Sequence, residues 1–276
     1  MHGGVIFRLV VIPCLWGLLG STSVAARSEE DLPVIRLIEG LAAESCSARW
    51  LALGKYWGSA GDRLRPLQQK VQTADEPMRA RLLLLIEHRK EEEKSVSRLE
   101  ALANELLRVA KMWGARRRTA EADRIRRRVL DIVNDPKEPF IGRLAACNFI
   151  VVMATEFAPG VAASWTAEVP RLLESGDSQV RLVGGVVAAG GRLVKGQEPE
   201  KGVVIPVLIE GLRGQSFAER HQSQRALFLV ARVDAEQLCV DPTDPPAKRT
   251  DGVRGWEEWW AENKGKLSRE KIPSHY

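Results

Sequence analysis

The sequence has few of the residues and motifs on which catalysis and metal binding usually depend. Its 276 residues include four cysteines and four histidines, and none of these stands in an HExxH, HxH, CxxC or Cys/His cluster. Such clusters are what a zinc site requires. The phosphate-binding GxxxxGK[S/T] loop, a strand-borne GxGxxG and the nucleophile motif GxSxG are absent as well. We therefore expect no cofactor and no metal ion, and we interpret the protein as non-catalytic.

Charge of one sign is not in large excess either. There are 41 basic and 36 acidic residues, which gives a formal net charge of +5. A dedicated nucleic-acid binder carries more charge or concentrates it on one face, so we do not expect a nucleic-acid partner. The composition, 45% hydrophobic and 28% charged, is typical of a globular protein. The length allows one or two domains.

The amino-terminal segment has the pattern of a targeting signal. The apolar run Leu9–Leu19 follows Arg8 and precedes small residues that end at Ala26. This order is typical of a secretory signal peptide over residues 1–26, with cleavage after Ala26. The sequence thus predicts an exported mature chain, periplasmic or extracellular, with no membrane span. An uncleaved signal that tethers the protein to a membrane remains the alternative, although the apolar run is short for a span.

Three cysteines would remain after cleavage, namely Cys46, Cys147 and Cys239. Cys46 and Cys147 lie within helical apolar patterns, where cysteine usually behaves as a small buried hydrophobic residue. An odd number at wide spacing does not indicate a disulfide framework. Whether any two of them form a single disulfide stays open.

Apolar residues recur at helical spacing in nearly the whole mature chain, which predicts an all-α fold. Within it, several stretches share one form: a helix that begins near proline, a short polar turn, and a second helix that opens with arginine. Ser45 precedes Arg49 by four residues, and the same offset recurs in two further turns. Serine or aspartate at this position can cap the second helix. The residues assigned to these turns are Ser45, Arg49, Asp75, Arg79, Arg143, Asp177, Arg181 and Arg225.

An arginine in the first turn of a helix is disfavoured by the helix dipole. We therefore expect a carboxylate beside each turn arginine, with an aspartate of the neighbouring repeat as the natural candidate. These arginines have structural roles in this interpretation and do not form a binding site.

The turn pattern resembles HEAT repeats, whose second helix is typically entered through Asp-x-x-Val-Arg. Residues 171–194 match this pattern best, and the resemblance covers about 31–90 and 138–233. It implies a right-handed α-solenoid of antiparallel helix pairs that presents a concave face to a protein partner. One helix pair cannot bury its apolar face alone, so the pairs must stack. We divide the mature chain into N-terminal repeats (27–90), a helical insertion (91–137), C-terminal repeats (138–238) and a tail (239–276).

The insertion has apolar residues at alternating spacings of three and four on both sides of Gly114, which predicts two long helices packed as a hairpin. It is rich in arginine, the footprint of phosphate binding, so binding of an anionic polymer or surface is the alternative function. The simpler interpretation is a solvated face balanced by Glu91–Glu93 and Glu100. The arginines of this patch are Arg116, Arg117, Arg118, Arg124, Arg126, Arg127 and Arg128.

The tail contains a proline-rich linker, Asp241–Pro246, followed by a tryptophan-rich helix. Trp256, Trp259 and Trp260 share one face of this helix and are predicted to cover the end of the last repeat. Asp241, Asp244 and Asp251 lack the spacing of a calcium-binding loop and are assigned to turn chemistry.

We expect the protein to be an exported, non-catalytic scaffold for protein–protein interaction whose partner the sequence does not name. An enzyme of unknown class is the second alternative. It would require His88 or His221 to meet a carboxylate in a pocket.

Overall fold

The computed structural model describes residues 32–58, 64–112, 115–154, 166–191, 193 and 195–273. Within these ranges the all-α prediction is confirmed, because the chain forms eleven helices and no β-strand. None of these helices combines the length and apolar character that crossing a membrane requires. The predicted signal peptide, with its cleavage position after Ala26, lies outside the described residues.

In chain order the helices are α1 (Leu32–Leu41), α2 (Cys46–Gly58), α3 (Leu64–Val71), α4 (Glu76–Met112), α5 (Ala115–Asn134), α6 (Phe140–Ala154), α7 (Glu168–Leu172), α8 (Ser178–Ala189), α9 (Lys201–Gly211), α10 (Phe217–Ala231) and α11 (Pro246–Leu267).

Packing follows the order of the chain in most places. Helix α1 packs on α2, α3 on α4, α5 on α6, α7 on α8, and α9 on α10. Helix α8 also contacts α6 and α10, and the terminal helix α11 contacts α9. Each amphipathic helix therefore buries its apolar stripe against neighbouring helices.

Buried apolar side chains form two clusters. The larger one draws on α5 to α11 and on Leu99 of α4. The smaller one draws on α1 to α4, and it also includes Phe217 at the start of α10. Phe217 thus ties the C-terminal half of the chain to the N-terminal core.

The first and last parts of the described chain are in direct contact. Cys46 and Cys239 form a disulfide, with their Cα atoms 6.0 Å apart. The ring of Trp50 in α2 lies 4.9 Å from His221 and 5.4 Å from Phe228, both in α10. In an open solenoid each repeat touches only its neighbours. This contact therefore departs from the arrangement that the HEAT resemblance implies.

The disulfide also corrects one expectation and leaves another in place. Cys46 is not a buried apolar residue within a helix, because it begins α2 and is cross-linked to Cys239. Cys147 is a free, buried thiol whose pKa is raised to about 12 by burial.

The predicted boundary at residues 90/91 is wrong. Helix α4 runs without a break from Glu76 to Met112, so the boundary falls inside a 37-residue helix. Its first part packs on α3, and it also contacts α5. The first part of the predicted insertion is therefore the continuation of α4, and α5 forms its second part.

The terminal helix is longer than the sequence suggested. It begins at Pro246, inside the predicted linker, and its 22 residues end at Leu267. Trp256 is fully buried against Phe228, with ring centroids 6.0 Å apart. Trp259 and Trp260 are partly buried against the same core. The tryptophan face therefore packs onto the helix pair α9 and α10.

Candidate functional site

Arginine side chains bind backbone carbonyls at the turns between paired helices. Arg49 donates from Nη1 to the carbonyls of Ala43 and Glu44, at 2.7 Å each. Arg181 donates to the carbonyls five and six residues before it, at 3.3 and 2.9 Å. These carbonyls lie in the turns between helices, outside any helical ladder, and a guanidinium supplies the hydrogen-bond donors that they need.

The same bond recurs at two further turns in a simpler form. Arg79 donates to the carbonyl of Ala74 at 3.0 Å. Arg143 donates from Nε to the carbonyl of Glu138 at 3.0 Å. In each case the acceptor lies five residues before the arginine.

The fifth turn arginine is Arg220, and the assignment of Arg225 is wrong. Arg220 donates from Nη1 to the carbonyls of Gly214 and Gln215, at 3.0 and 2.6 Å. Ser216 caps α10 four residues before Arg220, whereas Arg225 lies well inside α10. The correction brings the spacing from Arg181 down from 44 to 39 residues, close to the 38 that separate Arg143 from Arg181.

A signal for this turn was present in the sequence. The Ser216 hydroxyl accepts a hydrogen bond from the backbone of Glu219 at 3.1 Å, and the Glu219 carboxylate accepts one from the backbone of Ser216 at 2.9 Å. This reciprocal capping box has the signature Ser-x-x-Glu. Three of the other turns have an apolar residue directly before the arginine, whereas Glu219 precedes Arg220.

Side chains four residues before Arg49, Arg79 and Arg181 act as helix caps as well. Ser45 accepts from the backbone N–H of Ala48 at 3.2 Å, and Asp75 accepts from that of Met78 at 3.1 Å. Asp177 accepts from two backbone N–H groups at the start of α8.

Carboxylates also lie beside the turn arginines, and they come from the next turn, from another helix or from the arginine's own helix. Asp177 accepts from Arg143 at 3.0 Å, which is the contact with the next turn that the sequence predicted. Burial alone would raise the pKa of the Asp177 carboxyl, but hydrogen bonds from Arg143 and from the backbone of α8 hold it below its usual value. Arg181 lies 3.6 Å from Glu210, and Arg79 binds Glu76 within its own helix at 2.7 Å.

Arg49 finds its carboxylates in the C-terminal tail. Its Nε binds Asp241, and its Nη2 lies 3.3 Å from Asp244. Asp244 also accepts from Arg81 at 2.9 Å, and Arg81 donates to the Leu41 carbonyl at 2.6 Å. The assignment of Asp241 and Asp244 to turn chemistry alone is therefore wrong, because both bind arginines from the other end of the chain.

These residues line a cleft of about 470 Å³ beside the disulfide. Cys46 and Cys239 form part of its wall, together with residues from α4 and from the start of α11. Its charged lining residues are Glu44, Arg49, Arg81, Asp241, Asp244, Lys248, Arg249 and Asp251. Arg249 is buried, and its Nε and Nη1 have no hydrogen-bond partner in the described part of the chain.

The two candidate histidines lie on either side of Phe217. The ring centroids of His88 and Phe217 are 5.0 Å apart, and those of Phe217 and His221 are 5.3 Å apart. Burial, followed by the charge of Arg89, lowers the pKa of His88 to about 3. Burial also lowers the pKa of His221 well below its ordinary value.

His88 shares a second cleft, of about 290 Å³, with Glu87 and Glu91. An efficient general base has a pKa near the working pH. An imidazole with a pKa of about 3 is a weak base at neutral pH, so this cleft gives little support to the enzyme alternative.

The described arginines of the helical hairpin are mostly bound to carboxylates. Glu105 of α4 accepts from Arg124 and from Arg128, at 2.6 Å each. Arg126 binds Glu168 at 2.5 Å, and Arg127 is exposed. The side chains of Arg116, Arg117 and Arg118 lie outside the described part of the structure.

The predicted counter-charges were misplaced for these arginines. Glu92 is buried and binds Arg89 of its own helix at 2.5 Å, and Glu93 lies 3.5 Å from the same arginine. The carboxylates that face the described hairpin arginines are Glu105, Asp123 and Glu168.

Among the described residues, no group of three or more His, Cys, Asp or Glu side chains is placed to hold a metal ion. Comparison with known proteins gives no matching family model, no matching curated protein and no matching solved structure.

Proposed function

We propose that the protein is an exported, non-catalytic scaffold of HEAT-like helix pairs that binds another protein. The observation that carries this proposal is the arginine turn, which recurs five times with the same bond to carbonyls five or six residues earlier. The last three copies follow one another at intervals of 38 and 39 residues, which is typical of a helical repeat array, whereas the earlier intervals are 30 residues (Arg49 to Arg79) and 64 residues (Arg79 to Arg143). Such arrays usually act by presenting a surface to a partner.

Export is supported by the disulfide together with the amino-terminal sequence. Disulfides persist in oxidising compartments and are rare in the cytosol. The Cys46–Cys239 disulfide therefore fits a protein that leaves the cytoplasm, as the signal-like residues 1–26 suggest. The mature chain would begin at Arg27, and tethering by an uncleaved signal is the alternative.

The exposed aliphatic side chains indicate where a partner would bind. Leu51 and Leu229 are 55% and 57% exposed, on α2 and α10. Each directly follows one residue of the contact between Trp50 and Phe228. We therefore place the partner at the α2–α10 junction, where apolar contact would remove both leucines from water.

Residues 27–276 with an affinity tag, recovered from the exported fraction at moderate salt, test this proposal. We expect one defined protein to co-purify with the wild type, and to be lost when Leu51→Asp and Leu229→Asp are combined. Val203→Asp on α9 is the matched control, because Val203 is 48% exposed but lies on another helix. Circular dichroism checks that all variants keep their helices.

Two results would contradict the proposal. One is recovery of the same protein with the double variant as with the wild type. The other is recovery of no protein partner by the wild type, above all if the pure protein turns over a substrate.

Binding of an anionic polymer through the hairpin has less support. Arg126 is held by Glu168, and Arg124 and Arg128 share the single carboxylate of Glu105, so part of the charge of these three arginines is already balanced.

A further inference from the structure

The residues around the disulfide cleft carry more buried positive charge than nearby carboxylates balance. Arg49, Arg81 and Arg249 line the cleft, and Asp241 and Asp244 are the buried or half-buried carboxylates among its lining residues. Arg220 adds to this charge, since its pKa is lowered to about 10 by burial and then by the charge of Arg249. Glu219 lies close enough to Arg220 to favour its charged form, so four guanidinium groups share three carboxylates, namely Asp241, Asp244 and Glu219.

Among the described residues, this pairing leaves Arg249 without a hydrogen-bonded anion. Asp244 is close enough to favour the charged form of Arg249, but its Oδ1 and Oδ2 are taken by Arg81 and Arg49. Asp241 is occupied by Arg49 and by Thr243. Arg220 is satisfied differently, because it donates to three backbone carbonyls.

Burial makes this situation costly for Arg249. Its residue exposure is 9%, and Nε and Nη1 are shielded from water with no acceptor in the described structure. A buried guanidinium without a partner loses its hydration and gains nothing in return. An arginine placed this way at the wall of a cleft is what an anion-binding site requires, because its planar fork matches a carboxylate or a phosphate.

We propose that the cleft between the Cys46–Cys239 disulfide and the first turns of α11 binds a small molecule bearing an oxyanion, a carboxylate or a phosphate, through Arg249. A volume of about 470 Å³ is within the range of small-molecule sites. Lys248, which is exposed at the rim, adds a second positive charge. This site is independent of the protein-binding surface at Leu51 and Leu229.

Two further carboxylates at the rim do not remove the positive potential. Asp251 is exposed and is bound by Arg254 at 2.6 Å. Glu44 is also exposed, so water screens its charge. The excess of positive charge around Arg249 therefore raises the electrostatic potential mainly inside the cleft.

Thermal unfolding of the oxidised mature chain tests the site with two probes, inorganic phosphate and succinate, against sodium chloride of equal ionic strength. We expect one of the probes, at about ten times its dissociation constant, to raise the Tm of the wild type by roughly 2–4 °C. A response to phosphate would identify a phosphate-bearing ligand, and a response to succinate would identify a carboxylate-bearing one. Isothermal titration calorimetry on the same samples measures binding directly.

The variant Arg249→Met separates ligand binding from a structural role. Methionine fills similar space without charge, so in chloride alone we expect its Tm to equal or exceed that of the wild type. It should lose the response to the probe, whereas Arg249→Lys should keep a reduced response. Lys264→Met, at the far end of the same helix, is the control and should respond like the wild type.

Three outcomes would overturn the proposal. The first is an equal response of the wild type and Arg249→Met, which would be a general effect of anions on protein hydration. The second is no response of the wild type to either probe. The third is a marked fall in the Tm of Arg249→Met in chloride without probe-dependent stabilisation of the wild type, which would make Arg249 a structural residue.

Discussion

At the scale of single residues, the turn arginines have one chemical role but different surroundings. The Arg143 side chain is 2% exposed and binds both the Glu138 carbonyl and Asp177. The Arg79 side chain is 42% exposed and binds Glu76 at the surface. Their contributions to stability should therefore differ, although both occupy the same position in their turns.

Replacing Arg143 by methionine should lower the free energy of unfolding by about 2 kcal/mol, since a buried carbonyl and a carboxylate then lose a charged donor. Arg79→Met should cost less than about 1 kcal/mol, because exposed ion pairs contribute little. Urea unfolding at pH 7 measures both. Equal losses would show that burial of the guanidinium does not set its contribution. Asp177→Asn, which keeps an acceptor for Arg143, should fall between the two variants.

The sequence predicted the roles of single residues where those roles depend on residues nearby in the chain. The offset of four between cap and arginine located the turns of Arg49, Arg79 and Arg181, because a cap and the helix it closes are adjacent in the chain. Arg220 departs from the pattern of these three turns because Glu219, and not an apolar residue, precedes it, although Gln224 before Arg225 departs from the pattern equally. The anionic partners Asp241 and Asp244 were missed because they lie about 190 residues from Arg49.

At the scale of helices, the junction of α2, α4 and α10 is built from aromatic and histidine rings. Phe217 stacks on His221 at an interplanar angle of 13° and lies against His88 of α4. Trp50 of α2 completes the cluster. Both imidazoles are fully buried, with Arg89 and Arg225 as the nearby cations that oppose their protonation. The surroundings of the junction therefore favour the neutral form of both histidines.

Acid should weaken this junction before it affects the carboxylates. The folded-state pKa of His88 is about 3 against an ordinary value of 6.5, so between these values the unfolded chain binds the extra proton. Stability should be full above pH 6.5 and fall as the pH drops, by up to about 1.4 kcal/mol per pH unit for each neutral histidine. Urea midpoints between pH 7.5 and 5 measure this slope.

His221→Phe should reduce the slope in the same window, because one buried imidazole is removed and a ring is kept. Asp177, whose pKa is lowered, stabilises the fold above its unfolded pKa, and that contribution is lost only at more acidic pH. An unchanged midpoint from pH 7.5 to 5 in the wild type would contradict the assignment of neutral, buried histidines.

Helix α4 shows what periodicity reveals and what it hides. The 3-4 spacing on either side of Gly114 predicted two long helices, and α4 and α5 lie on either side of that position. The charged run His88–Lys94 suggested a boundary, but it lies inside α4. Three of its residues, His88, Arg89 and Glu92, are buried. Burial of an ion pair depends on which helix packs against it, and one segment of sequence does not contain that information.

At the scale of the whole molecule, the decisive contacts join regions far apart in the chain. The disulfide and the Arg49–Asp241 pair connect the first described helix pair to the tail, across 193 and 192 residues. Local patterning predicted the all-α class and a helix face of tryptophans that packs against the rest of the chain. It gave no indication that Cys46 and Cys239 meet, because that contact depends on how all the helices pack together.

Removing the disulfide should lower the stability of the whole fold. In the Cys46→Ser/Cys239→Ser variant the free energy of unfolding should fall by about 3–5 kcal/mol, since the cross-link closes a very long loop in the unfolded chain. Urea unfolding with and without dithiothreitol measures the loss. The reductant should lower the midpoint of the wild type and leave the variant unchanged. Identical midpoints for the oxidised and reduced wild type would rule out a stabilising role.

The position of the disulfide has a consequence for how the protein withstands proteolysis. A single cut of the backbone anywhere between Cys46 and Cys239 leaves two fragments that remain covalently joined. The nicked protein would migrate as one species on a non-reducing gel and as two after reduction. Because most of the chain lies within this interval, damage at one exposed loop need not separate the halves of the molecule.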